Sequence, residues 1–191
     1  MERDKERIIM PRTSHDLFTI ILHWLTALLV PFAYVVVQVM EDVPRGAFKN
    51  QLYGTHLTVG TLVLLVTIVR LGWKPFAPKV APNDSPALME RAAKLVHWLL
   101  FLGLLAVPLL GLFSVWFRGR PLELFGLFSL PSPFAADRPL ARNLTEAHEL
   151  LANSLMILAV LHAAAALFHQ YAMQDGLILR MLPGRRDKGT P

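Results

Sequence analysis

Four long apolar segments constrain this chain more than any other feature of its sequence. They cover residues 17–37, 52–72, 95–117 and 150–172. Each is at least as long as the roughly 20 apolar residues that a helix needs to cross the hydrocarbon core of a bilayer. The sequence therefore predicts an all-α fold: a single membrane domain in which four transmembrane helices run up and down as a bundle.

Composition agrees with a membrane protein and removes several kinds of cofactor. Hydrophobic residues make up 54% of the chain and charged residues 17%, against about 25% charged in soluble domains. The chain has no cysteine, which excludes disulfides, iron–sulfur clusters, thiolate zinc sites and covalently attached c-type haem.

The basic residues predict the orientation of the helices. Most of them lie before the first segment, between the second and third, and after the fourth. Cytoplasmic flanks of membrane helices are rich in Lys and Arg, so both termini are expected on the cytoplasmic side of the membrane. This topology accounts for the net charge of +5, and no nucleic-acid partner is predicted. The loop over residues 118–139 is apolar but too short to span, so it either lies along the outer interface or covers the end of the bundle.

Histidines recur at matched depths in the apolar segments. His56 and His148 share a level near the outer ends of their segments, with His148 at the mouth of the fourth. His23 and His162 share an inner level, and His97 of the third segment falls near it. A single buried histidine is ordinarily a neutral imidazole bonded to a neighbouring helix. Ionisable residues are costly in a membrane, however, and pairing at two depths favours a shared function.

The spacing in the fourth segment indicates what the pairs hold. His148 and His162 are two heptads apart, so they point to one side of a helix at a separation of roughly 21 Å. Two stacked layers of paired imidazoles in a four-helix bundle fit two b-type haems, whereas a zinc site would want more ligands than two histidines. Depth alone allows His97 to replace His23 or His162 at the inner haem.

Small residues accompany these histidines. Gly54 and Gly60 flank His56, and alanines fill positions 163–166 after His162. Small side chains allow either a porphyrin or a neighbouring helix to approach the backbone closely.

Six stretches carry a resemblance to a known family. They are ILHWLTALLV, GTHLTVGTLVLLVTIVRL, LVHWLLFLGLLAVPLLGL, FRGRPLELFGL, AHELLANSLMILAVLHAAAALFHQY and LRMLP. With them, nearly the whole chain resembles the bacterial cytochrome b-561 family of four-helix membrane proteins with two haem b groups. The resemblance implies that His56 and His148 ligate the iron of an outer haem, and that His23 and His162 ligate that of an inner one. It leaves His97 to pack against, or hydrogen-bond to, a haem or a quinone, and His15 as a surface residue.

The resemblance also implies electron exchange with the quinone pool. In one branch of the family, similar to this chain in length, superoxide is oxidised to O2 on the periplasmic side and ubiquinone is reduced. The alternative is a non-catalytic relay subunit for a dehydrogenase, a hydrogenase or a periplasmic redox partner. A small transporter or metal channel is disfavoured because the spans lack acidic residues and broken half-helices.

Further residues are candidates for contact with substrates. We expect one or more of the outer-loop arginines at the outer haem edge, where they either attract superoxide or pair with haem propionates; they are Arg118, Arg120, Arg138 and Arg142. His169 lies one heptad beyond His162. It is the candidate proton donor to the quinone, or else it reaches the interface or an inner-haem propionate.

Overall fold

Four long helices make up most of the computed structural model, which describes residues 14–81 and 86–183. The helices are α1 (Leu17–Asp42), α2 (Ala47–Trp73), α3 (Ala87–Phe117) and α4 (Arg138–Phe168). All four are long and apolar enough to cross a membrane. The predicted helical bundle is confirmed, with one departure from an all-α chain. Between α3 and α4, strands β1 (Leu122–Leu124) and β2 (Phe128–Leu130) form an antiparallel hairpin.

Polar residues extend three helices beyond their apolar segments. Helix α4 begins at Arg138 because the Asp137 side chain accepts a hydrogen bond from Leu140 N at 2.9 Å, and a proline occupies the first turn. His148 therefore lies inside α4, more than two turns from its first residue, and the expectation that it sits at the mouth of the helix is wrong. Helices α2 and α3 likewise begin before the apolar segments that predicted them.

Neighbouring helices pack in chain order, α1 on α2, α2 on α3 and α3 on α4. We call the end where α1 and α3 begin the terminal end, and the opposite end, beside the β-hairpin, the hairpin end. Two glycines of α3 permit its close contact with α4. A Cβ on Gly103 would lie 2.9 Å from Leu155 Cδ1, and one on Gly111 would lie 3.1 Å from the ring of His148.

The buried core forms one apolar layer at mid-height. Val63, Leu104 and Leu155 are its centre, and partly buried leucines and valines of α1 and α3 pack against it. Leu155 lies one heptad from both His148 and His162, and Val63 lies one heptad from His56. The core therefore separates two levels at which histidines enter the bundle.

The hairpin packs against α2 and α3 and is too short to cross the membrane. Phe125 N donates to Thr58 Oγ1 at 3.0 Å, which brings the tip to within a turn of His56. Phe125, Leu127 and Phe128 remain 53%, 79% and 61% exposed. The loop thus covers the side of the bundle near its hairpin end and presents an apolar tip outward.

A C-terminal segment closes the terminal end. Trp24 Nε1 donates to Met181 O at 2.7 Å, and Arg180 donates to Ala81 O at 2.8 Å. His15 N donates to Arg180 O at 3.0 Å. His15 is consequently only partly exposed, which corrects its assignment to the surface, and burial lowers the pKa of its imidazole, with a smaller opposing effect from Asp16.

Candidate functional site

The histidine pair at the hairpin end joins α2 to α4. The rings of His56 and His148 lie close together, with centroids 6.0 Å apart and ring planes at 87° to each other. His56 Nδ1 lies 3.1 Å from Ala33 O, and His148 Nδ1 lies 2.8 Å from Val107 O. A carbonyl oxygen can only accept a hydrogen bond, so each Nδ1 carries a proton, and in the neutral ring Nε2 is then the nitrogen with a lone pair for a metal.

The separation of these rings matches what one iron between two imidazoles requires. A metal–imidazole bond is roughly 2 Å long. Ring bonds of about 1.3 Å place the centroid roughly 1 Å behind the ligating nitrogen. Two imidazoles that held one iron between them would therefore have centroids about 6 Å apart. His56 and His148 are therefore two candidate metal ligands, and the Nδ1 of each ring is already hydrogen-bonded within the protein.

Three histidines meet at the terminal-end level. His23 of α1 and His162 of α4 have ring centroids 6.5 Å apart, while His97 of α3 lies 5.2 Å from His162. The first distance leaves room for an iron by the same geometry, and the second is short for one. His97 is thus a close neighbour of this level, and the geometry favours His23 with His162 as the pair that fits a haem.

The small residues divide into two groups. Cβ atoms added to Gly54 and Gly60 would meet no atom within 4 Å, so open space adjoins the helix on either side of His56. In α4, positions 165 and 166 lie on the side of His162, whereas 163 and 164 turn away from it. Only half of the alanine run can face a group bound by His162.

All four outer-loop arginines line one cavity. Its volume is about 560 Å³, and Arg118, Arg120, Arg138 and Arg142 share it with Thr145, Glu146 and Glu149. Arg118 donates to Thr145 Oγ1 at 2.7 Å, and Arg142 pairs with Glu146 at 2.9 Å. Thr145 precedes His148 by one turn, so the cavity opens near the hairpin-end pair with its positive charge partly offset.

His169 lies at the terminal end, where α4 passes into a π-helix (His169–Met173). Its Nδ1 is 2.6 Å from Asp175 Oδ2, and both side chains are mostly buried. Asp175 is placed there by a turn in which Gln174 and Gly176 have positive φ. Sequence reasoning missed Asp175, and its signal was the Asp-Gly pair directly after the helix.

Comparison with known proteins decides the family. The family model described as prokaryotic cytochrome b561 matches residues 14–184. The chain belongs to the prokaryotic cytochrome b561 family. The resemblance that the sequence motifs carried is thereby confirmed.

Several relatives cover most of this family member. A probable superoxide oxidase CybB from Yersinia pestis is 33% identical over 167 residues, spanning 86% of this chain and 93% of the relative. Cytochrome b561 homolog 1 from Escherichia coli is 34% identical over 172 residues, spanning 87% and 96%. Cytochrome b562 from Cereibacter sphaeroides is 34% identical over 171 residues, spanning 87% and 93%.

Family membership and the four helices together establish the general role. The protein is a multi-pass inner-membrane protein of a family that carries haem b and transfers electrons. The lipid bilayer is its immediate surrounding. The histidine levels on either side of the apolar core are the places in this chain that fit such a group.

Proposed function

We propose that this family member holds two haem b groups and passes electrons across the membrane, oxidising superoxide at the hairpin end and reducing ubiquinone at the terminal end. His56 and His148 ligate one iron, and His23 and His162 ligate the other. The observation that carries the proposal is the repetition of a close histidine pair, with ring centroids 6.0 Å and 6.5 Å apart, on the two sides of the apolar core. A haem held by two histidines supplies one-electron transfer and has no open position for oxygen.

The arginine cavity is the proposed place where superoxide arrives. Positive charge around a cleft raises the local concentration of an anion and speeds its encounter. Two superoxide anions each give up one electron and leave as O2. The name of the Yersinia pestis relative, a probable superoxide oxidase, supports superoxide as the donor.

His169 is the proposed proton donor at the terminal end. Ubiquinone takes up the two electrons together with two protons and becomes ubiquinol. Asp175 accepts the Nδ1 hydrogen bond and fixes the ring, so that Nε2 is the nitrogen left to exchange a proton. Uptake at this end draws protons from the side where the chain termini lie.

The proposed orientation puts the terminal end in the cytoplasm. In the full sequence, Lys and Arg are more numerous around the ends of the apolar segments that meet at this end than around those at the hairpin end, as cytoplasmic loops require. The basic residues in 1–13 and 184–191 that entered the same prediction lie outside the described residues. The hairpin and the arginine cavity would then face the periplasm.

One preparation tests both the cofactor and the reaction. A reduced-minus-oxidised spectrum of the purified protein should show b-type haem at two per chain. In proteoliposomes containing ubiquinone, added superoxide should produce ubiquinol with O2 released. Protein without b haem would overturn the proposal. Dihaem protein that copurifies with a stable partner and does not use superoxide would instead be the electron-relay subunit of a larger complex.

A further inference from the structure

A cation enters the bundle at the terminal-end histidine level. Arg70 of α2 is only partly exposed, and its Nη1 donates to Thr26 Oγ1 at 3.1 Å. Its Cζ lies 5.0 Å from the centroid of the Phe101 ring. Thr26 is one turn from His23 on α1, and Phe101 is one turn from His97 on α3. The guanidinium therefore points into the bundle, beside the proposed inner haem.

A second cation approaches the same ring. Lys74, four residues after Arg70 on α2, has its Nζ 5.5 Å from the Phe101 centroid. Like charges at this spacing on a helix repel. Over residues 14–81 and 86–183, no carboxylate lies within ion-pair distance of either side chain. The described structure thus gathers two positive charges and supplies neither with an anion.

Charge in this position requires compensation. A guanidinium within a membrane helix is costly unless it is paired or hydrated. The hydrogen bond to Thr26 uses one of the five N–H donors of the Arg70 guanidinium. Arg readily binds a carboxylate through two of its other donors. A haem b carries two propionate carboxylates, the number that two cations would balance.

We propose that Arg70 and Lys74 bind the propionates of the haem held by His23 and His162. The inference rests on the proposed function, because it requires a haem at that level. The partly buried Arg70 makes the stronger contact and the exposed Lys74 the weaker one. Positive charge beside an iron favours its less positive, reduced state, so both residues raise the reduction potential of this haem.

Optical redox titration of three variants tests this assignment. Arg70→Gln should lower one of the two haem potentials and leave the other unchanged. Lys74→Gln should lower the same potential by less. Lys94→Gln is the matched control, since Lys94 lies at the same end but is 70% exposed and paired with Glu90 at 2.6 Å, and it should move neither potential. An unchanged potential in dihaem Arg70→Gln protein would overturn the inference and leave the proposed function standing.

Two further measurements separate the sources of the anion. Infrared redox-difference spectra with haem ¹³C-labelled at its propionates should show labelled carboxylate bands that move in Arg70→Gln, and unmoved bands would contradict the contact. The potentials should also fall equally in phosphatidylcholine and phosphatidylglycerol nanodiscs. A fall confined to phosphatidylglycerol would identify the anionic lipid headgroup as the partner and overturn the inference.

Arg70→Lys provides a check if the glutamine variant loses a haem. Lysine keeps the charge without the guanidinium fork, so this variant should retain both haems, with a potential between those of the wild type and Arg70→Gln. Loss of the haem in Arg70→Lys, with the helical content unchanged, would mean that Arg70 supports packing around Thr26 and Phe101 instead.

Discussion

The two histidine levels differ in what holds the imidazoles. At the hairpin end, each ring is fixed by a backbone carbonyl of a neighbouring helix, at 3.1 Å for His56 and 2.8 Å for His148. At the terminal end, His23 and His162 show no such bond to a carbonyl within the described residues, and a third histidine and Arg70 crowd the level. The first site is organised by the protein itself. At the second, the proposed haem would itself have to hold the imidazoles in place.

Removal of one iron ligand should have the largest effect. We expect His148→Ala to lose the hairpin-end haem and His162→Ala the terminal-end haem, each halving the haem-to-protein ratio, because each variant removes one of the two bonds by which the protein would hold that iron. Pyridine haemochrome analysis of purified protein measures the ratio. His97→Ala is the matched control and should keep both haems. If His97→Ala lost a haem while His23→Ala kept it, the inner ligand pair would be His97 with His162.

Removal of the proposed proton donor at the terminal end, His169, should have the second-largest effect. His169→Ala should slow ubiquinone reduction by about 10²-fold, the usual contribution of a general acid, while both haems and their spectra persist. Asp175→Asn should give a smaller loss, because the ring keeps its proton but loses its orienting carboxylate. Stopped-flow reduction of the haems by superoxide, followed by their reoxidation by ubiquinone, separates the two half-reactions. Loss of a haem in His169→Ala would place this residue among the groups that hold the cofactor.

The arginine cavity gives the corresponding prediction for the hairpin end. Reversing all four charges to Glu should reduce the rate of haem reduction by superoxide by about tenfold or more at low salt, since steering changes on-rates by 10–10³. Added salt should narrow the difference from wild type. Arg91→Glu at the other end is the control for a charge reversal outside the cavity. An unchanged rate and an unchanged salt dependence would exclude steering by these residues.

Close packing at the hairpin end should make its haem sensitive to a neighbouring glycine. A Cβ at position 111 would lie 3.1 Å from the His148 ring, and valine adds two further methyl groups there. We expect Gly111→Val to lower hairpin-end haem occupancy severalfold, as read from the spectrum. Gly72→Val should have little effect, because a Cβ on Gly72 meets no atom within 4 Å. Equal losses in both variants would point to general destabilisation of the helices.

Much of this architecture was predictable because it depends on helical periodicity. The four apolar segments determine the number of helices, and heptad spacing places His148, Leu155 and His162 on one side of α4. His23 and His56 then follow from their depth. These inferences need only the rise and the pitch of a helix.

The remaining features depend on contacts between distant residues. The hairpin strands are three residues long, too short for an alternating pattern, and they are held by Thr58 of α2. Asp175 meets His169 only because the π-helix and a turn with positive φ reverse the chain. In the sequence, Arg70 contributes only to the basic residues that predict the orientation of the helices. Its approach to Thr26 and Phe101 depends on the packing of three helices.

At each end of the bundle an aspartate caps the start of a helix: Asp16 caps α1 and Asp137 caps α4. Replacing these caps should produce the smallest effect of the changes considered. Asp137 accepts one hydrogen bond, from Leu140 N. Asp16 accepts from Thr19 N at 3.0 Å, from Thr19 Oγ1 at 2.6 Å and from Trp73 Nε1 at 3.3 Å. Loss of a cap costs about 1 kcal/mol, so each alanine variant should lower thermal stability modestly, with Asp16→Ala the more affected.

The two caps should also differ in their dependence on pH. Burial alone would raise the pKa of Asp16, but the hydrogen bonds from Thr19 and Trp73 outweigh it and lower the pKa below the ordinary carboxyl value. A carboxyl whose pKa falls on folding stabilises the protein above its unfolded pKa, and this stabilisation disappears as the pH falls through the folded pKa. Thermal melts followed by circular dichroism should therefore show the wild type and Asp16→Asn converging in acid and separating towards neutral pH. A difference that stayed constant across this range would mean that the hydrogen bonds hold Asp16 equally well when it is protonated.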